Sequence, residues 1–156
     1  MPIFLFYGTD AYSRLEKIKF WRLEFEKKHG GATNITIFEG KGTSANEIFQ
    51  TTACMPFLAE KRLTIIKDFL RDALDNERNA LADLLEKIPD FSVVVFSESE
   101  TPDRRTGFFK KIQKTGKLTE FPAFNGIKLL AWIEKTVSQK KGSIEKEAIL
   151  ALSELS

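Results

Sequence analysis

The stretch PIFLFYGTDAYSRLEKIKFW, residues 2–21, decides the fold of this 156-residue chain. Its apolar run at residues 2–7 has the composition of a buried strand, and Gly8 ends that run. Asp10 is a suitable N-cap for a following helix. The apolar residues of this helix recur at spacings of three and four along one face: Ala11, Leu15, Ile18, Trp21 and Phe25. A strand, a glycine turn and a helix in this order predict the first unit of an α/β fold.

The same alternation continues along the chain. Four more strands are predicted at residues 34–40, 62–69, 91–98 and 116–121. Helices are predicted between them at residues 45–52, 74–88 and 104–114. This pattern favours a five-stranded parallel sheet with helices on both faces, formed by residues 1–121. Two helical stretches without a strand between them follow, so we expect residues 122–156 to begin a small helical domain of a longer protein.

The composition excludes several classes of protein. Apolar residues make up 42% and charged residues 29%, which is ordinary for a soluble globular domain. The net charge of +2 is too small to argue for nucleic acid or a membrane by itself. The single cysteine (Cys54) and single histidine (His29) give no disulfide and no zinc cluster. We expect a cytoplasmic protein without a bound metal or a membrane partner.

The turn after the first strand resembles a phosphate-binding loop that has lost its chemistry. Such loops read Gly, four residues, Gly, Lys and then Ser or Thr. Gly8 is present, but Ser13 replaces the second glycine, Arg14 the lysine and Leu15 the hydroxyl that would hold Mg²⁺. Carboxylates that could bind the metal stand near the ends of two later strands: Asp68 and Glu98. A turn without a ligand is the favoured interpretation, and a weak anion site or a working ATPase are the alternatives.

Residues 54–69, CMPFLAEKRLTIIKDF, carry a resemblance to a known family. They resemble the Pro-Phe-apolar segment and following strand of the delta subunit of the bacterial DNA polymerase III clamp loader. Three further stretches are similar to that family and occur in the same order: FYGTD at 6–10, VVVFSE at 93–98, and FPAF at 121–124 followed by LLAWI at 129–133.

The resemblance implies an AAA+-type α/β domain followed by a helical lid. It also implies a subunit that has lost ATP binding and therefore needs no cofactor and has no catalytic activity of its own within the polymerase holoenzyme. The implied function is to bind the ring-shaped sliding clamp and help open it for loading on DNA. The other clamp-loader subunits would be partners through a C-terminal domain that lies outside this chain.

On this sequence, the resemblance locates the clamp contact at residues 55–58. Phe57 and Leu58 would insert into the clamp, and Met55 and Pro56 would shape the turn. Composition alone leaves another interpretation, in which Phe57 and Leu58 enter the core of the domain. Pro56 ends the preceding helix, so the residues after it are expected at the tip of an element, where a partner can reach them.

A second candidate surface is basic. Between residues 104 and 119 there is no acidic residue, and there are six basic ones: Arg104, Arg105, Lys110, Lys111, Lys114 and Lys117. Phe108 and Phe109 lie among them, and basic residues interleaved with aromatic ones can bind single-stranded nucleic acid. The alternatives are a contact with DNA or another subunit, or a solvated helix face whose phenylalanines point inward.

Overall fold

A computed structural model describes residues 3–122 of the chain. The chain divides into two compact units, Met1–Phe121 and Pro122–Ser156. The described residues belong to the first unit, apart from Pro122. The helical lid expected from the sequence lies outside the described residues and stays a prediction. Within residues 3–122, no helix is long and apolar enough to cross a membrane.

Five parallel strands form one sheet. They are Ile3–Tyr7 (β1), Ile35–Glu39 (β2), Arg62–Lys67 (β3), Ser92–Glu98 (β4) and Lys117–Glu120 (β5). The strand order is β2-β3-β4-β1-β5, and each neighbouring pair is parallel. Each strand lies within the range predicted for it, so the predicted five-stranded parallel sheet is confirmed. Its carboxyl edge collects the turns that follow β1, β3 and β4.

Five α-helices and a short 3-10 helix at Leu85–Lys87 connect the strands of the described region. The α-helices are, in chain order, Ala11–Lys28 (α1), Ala45–Ala53 (α2), Phe69–Asp72 (α3), Asp75–Leu84 (α4) and Gly107–Thr115 (α5). Asp10 caps α1 as predicted, since its Oδ1 accepts a hydrogen bond from the Ser13 amide at 3.1 Å. The helix predicted from residue 104 begins later, because Thr106 accepts from the Phe109 amide and caps α5.

Helices cover both faces of the sheet, as the strand–helix alternation predicts. The residues of β4 alternate between the two faces, with Val95 directed to α1 and Val94 and Phe96 to the opposite face. The α1 face is packed by Phe6, Ile18, Phe25, Leu63, Ile65 and Val95. The opposite face is larger and packs α2, α4 and α5 through residues such as Ile48, Leu81, Phe108 and Ile112.

Two predicted apolar faces need correction. Leu15 is 48% exposed and Ala11 is exposed, although both were assigned to the buried stripe of α1. Arg14 is buried in their place, because its guanidinium has charged and polar partners at the carboxyl edge of the sheet. The helix predicted at residues 74–88 begins one residue later, at Asp75, and Leu74 precedes it with its side chain 70% exposed.

Candidate functional site

The turn between β1 and α1 uses its own amides within the protein. The Gly8 amide donates to the Glu98 carbonyl at 3.2 Å, and the Asp10 amide donates to the Phe121 carbonyl at 3.0 Å. The Ser13 amide donates to the Asp10 carboxylate. A phosphate loop binds its ligand through amides that point at the phosphates. These three amides already have protein acceptors and are not directed at an open site.

Gly8 is required by a close approach of the backbone. It has a φ of +133°, and a Cβ atom at this position would lie 2.1 Å from the carbonyl oxygen of Phe121. The Phe121 amide in turn donates to the Tyr7 carbonyl at 2.7 Å. The segment that leaves β5 therefore lies directly on this turn. Only glycine fits both the backbone angle and the space.

Arg14 stands at the position of the phosphate-loop lysine and is turned into the protein. It is only 6% exposed, and its Nη1 donates to the Ser97 Oγ at 2.6 Å. Burial lowers the pKa of its guanidinium, and the nearby charges of Asp68, Glu98 and Asp10 oppose that effect. A cation held in this way is balanced by the protein's own carboxylates. Among the described residues, its Nε and the Ser13 Oγ have no hydrogen-bond partner.

The two carboxylates considered as metal ligands are engaged in the same network. Glu98 is 1% exposed, and its carboxylate accepts the Leu70 and Arg71 amides at 3.1 and 3.2 Å. Burial raises the pKa of Glu98 to about 7, and the charge of Asp68 adds to the increase. Asp68 accepts from the Ser99 amide at 2.8 Å. Nowhere in residues 3–122 do three potential metal ligands of the His, Cys, Asp or Glu type come together.

The α2–β3 loop, residues 54–61, lies at the amino edge of the sheet and carries the residues predicted to contact the clamp. Met55, Phe57 and Leu58 are 75%, 65% and 90% exposed, and Pro56 is half-buried. The interpretation that places Phe57 and Leu58 in the core of the domain is therefore wrong. Together these side chains form an apolar tip on the surface of the described domain.

The main chain of this loop is held at several points. The Phe57 amide donates to Asn34 Oδ1 at 2.7 Å, and Asn34 Nδ2 donates to the Phe57 carbonyl at 2.8 Å. The Arg62 Nε donates to the Cys54 carbonyl at 3.0 Å. Leu58 has a φ of +52°, in the left-handed region. Sequence reasoning missed Asn34, because an asparagine just before a strand gives no signal of a contact 23 residues away.

The basic stretch is less open than its sequence indicates. Ion pairs join Arg104 to Glu120, Arg105 to Asp103 and Lys111 to Glu86, at 3.8, 3.1 and 3.0 Å. The other three basic side chains are exposed and form no ion pair within the described part of the chain: Lys110, Lys114 and Lys117. Phe108 and Phe109 are 1% and 3% exposed and belong to the core. The phenylalanines point inward and give no platform on which bases could stack.

Comparisons with known proteins agree with this geometry. The family described as "DNA polymerase III, delta subunit" matches residues 4–122. A solved structure of the Bacillus subtilis DNA clamp loader delta protein (YqeN) is similar at a TM-score of 0.74 and 20% identity, covering 96% of this chain and 46% of that one. A Thermotoga maritima DNA polymerase III gamma subunit-related protein is similar at a TM-score of 0.55 and 16% identity, covering 98% and 53%.

These two likenesses concern the fold, and this chain spans about half the length of each of those proteins. No match was found among curated proteins. The family match covers most of the chain, including β1 with its glycine turn, the α2–β3 loop and β4. The chain therefore belongs to the DNA polymerase III delta subunit family, as the sequence resemblance indicated.

Proposed function

We propose that this chain is the part of a clamp-loader subunit that binds the ring-shaped sliding clamp and helps to open it. The proposed contact is the apolar tip of the α2–β3 loop, formed by Met55, Pro56, Phe57 and Leu58. One observation carries the proposal: Phe57 and Leu58 are adjacent, exposed by 65% and 90%, and lie on a loop whose main chain at Phe57 is hydrogen-bonded to Asn34. Large apolar side chains in this position are available to a partner rather than to the domain's own core.

The energy available from this tip is large enough for an anchor. Burying an apolar side chain of this size contributes roughly 1.5–3 kcal/mol. A few such residues dominate most interfaces. Two of them would therefore change the affinity by roughly 100-fold or more, because each 1.4 kcal/mol is about a factor of ten.

Opening the ring requires more than binding it. A ligand shifts an equilibrium only by its difference in affinity for the two states. We therefore expect the apolar tip to bind the clamp more tightly when the nearby ring interface is distorted or open. This requirement follows for any subunit that opens a ring without hydrolysing ATP itself.

The proposal includes no ATP hydrolysis by this chain. Support comes from the β1–α1 turn, where amides are bonded to protein acceptors and Arg14 is directed to Ser97. The Leu15 side chain has no oxygen with which to hold Mg²⁺. We expect the other clamp-loader subunits to be further partners, and we expect the protein to act in the cytoplasm.

The alternative function, a nucleic-acid-binding module at residues 104–117, is less well supported. Phe108 and Phe109 are buried, and three of the six basic side chains form ion pairs. Lys110, Lys114 and Lys117 could still contact a phosphate backbone. Such binding would weaken steeply as the salt concentration rises.

The test is a titration of this chain with the sliding clamp from the same organism. Phe57→Ala together with Leu58→Ala is expected to weaken binding roughly 100-fold or more, with the melting transition unchanged because both side chains are exposed. Leu74→Ala is the matched control, since Leu74 is 70% exposed but follows β3 toward the opposite edge of the sheet. It should bind like the wild type. Equal affinity of the double variant would move the site elsewhere.

A further inference from the structure

The main chain of Phe57 is bound by a single buried amide side chain. Asn34 is 1% exposed and forms two hydrogen bonds with Phe57, donating to its carbonyl at 2.8 Å and accepting from its amide at 2.7 Å. A carboxamide is the side chain that offers one donor and one acceptor side by side. The Asn34 side chain therefore bonds the main chain of Phe57 as a neighbouring strand would, although Phe57 lies outside the strands of the sheet.

Asn34 is itself fixed to the sheet. It directly precedes β2, and its carbonyl accepts from the Leu63 amide near the start of β3 at 2.9 Å. The position of Phe57 is thus tied through one residue to the β2–β3 pair. Rigid elements hold a binding group more precisely than a loop alone does.

The segments on either side of Phe57 are constrained as well. Arg62 donates from Nε to the Cys54 carbonyl, at the beginning of the loop. Leu58 has a φ of +52°, a conformation that non-glycine residues adopt only when their surroundings impose it. The two hydrogen bonds to Phe57 fix the main chain of the residue directly before Leu58 and so favour this backbone conformation.

We propose that Asn34 is the positioning residue of the clamp contact. It holds Phe57 and Leu58 in their exposed arrangement before the clamp arrives. This inference rests on the proposed function of the α2–β3 loop and adds a residue that does not touch the clamp. The physical reason is preorganisation: a loop that is already ordered loses less conformational freedom on binding, so its affinity is higher.

The first test measures the loop without any clamp. In the wild type, the Phe57 amide should exchange with solvent far more slowly than an unprotected amide, because it donates to a buried acceptor. In Asn34→Ala, which removes the acceptor, the exchange of this amide should accelerate at least tenfold, whereas Asn34→Asp keeps an acceptor oxygen and should accelerate it less. A nitroxide on Cys54, the chain's single cysteine and an exposed one, should become more mobile in the same variants. An unprotected Phe57 amide in the wild type would overturn the proposal without any variant.

The second test measures clamp affinity in the same proteins. Asn34→Ala and Asn34→Asp should weaken binding about tenfold, and the aspartate variant keeps the size and the acceptor but loses the donor to the Phe57 carbonyl. Asn76→Ala is the surface control. Val95→Ala is the control for stability, since it removes buried volume on the α1 face and should leave the affinity unchanged.

The possible outcomes distinguish the proposed contact site from the proposed role of Asn34. Wild-type affinity in the Asn34 variants, with Phe57→Ala/Leu58→Ala still defective, would overturn the positioning role and leave the contact site standing. An equal loss of clamp affinity in Val95→Ala and Asn34→Ala would also overturn the role of Asn34, because general destabilisation of the fold would then explain both losses. No binding by the wild type would overturn the proposed function, and the role of Asn34 with it.

Discussion

At the scale of single residues, Leu58 combines exposure with an unfavourable backbone conformation. Its φ of +52° costs a non-glycine residue about 1–2 kcal/mol, whereas glycine adopts it freely. Leu58→Gly should therefore unfold with a free energy about 1 kcal/mol higher than Leu58→Ala, although both lack the side chain. Urea denaturation of the two variants measures the difference. A less stable glycine variant would show that residue 58 is not left-handed in solution.

Glu98 makes stability depend on pH through its burial. Its pKa is raised from 4.5 to about 7 in the folded protein, first by burial and then by the charge of Asp68. Between these two pH values the folded state binds the proton more tightly than the unfolded state, so the free energy of unfolding falls as pH rises. The contribution is fully present below pH 4.5 and is lost by about pH 7.

Glu98→Gln should remove this dependence. Between pH 4.5 and 8, the wild type is expected to lose up to roughly 3 kcal/mol of stability relative to the glutamine variant, since one pKa unit corresponds to 1.36 kcal/mol. Denaturant unfolding of both proteins across this range is the measurement. If the free energies of unfolding of the two proteins change in parallel with pH, the Leu70 and Arg71 amides keep the Glu98 carboxylate ionised and offset its burial.

At the scale of elements, the β1–α1 turn needs a glycine at residue 8 for its own packing. Gly8→Ala should lower the free energy of unfolding by at least about 3 kcal/mol, because the new Cβ would meet the Phe121 carbonyl and φ is +133°. Gly42→Ala is the control: φ is +78° and no atom lies within 4 Å, so it should cost about 1 kcal/mol. An equal loss of stability in the two variants would show that the backbone angle alone, and not the contact with Phe121, matters at Gly8.

The strands were predictable from the sequence because a parallel sheet covered on both faces needs short apolar runs. The buried face of α1 was not fully predictable. Spacing alone assigns Leu15 to the core, but the partners that draw Arg14 inward, such as Ser97, are distant in sequence. The exposure of Phe57 and Leu58 was likewise open, since an apolar pair before a strand is consistent with burial or with a contact. The family resemblance, not periodicity, favoured the contact.

At the scale of the whole molecule, the two edges of the sheet differ in what they offer. The carboxyl edge, where nucleotides bind in related architectures, is filled by Arg14, Asp68 and Glu98 and covered by Phe121. The amino edge carries an exposed apolar tip on a loop that is hydrogen-bonded to Asn34. Under the proposed function, the domain keeps the scaffold of a nucleotide-binding fold and uses the opposite edge of its sheet for the clamp.

The most direct measurement is amide exchange across the chain, with and without the sliding clamp. Clamp binding is expected to slow amide exchange in residues 54–61, which hold the apolar tip, and to leave exchange in the basic residues 104–117 unchanged. Slower exchange confined to residues 104–117, with the α2–β3 loop unaffected, would rule out the apolar tip and make the basic surface the site of contact.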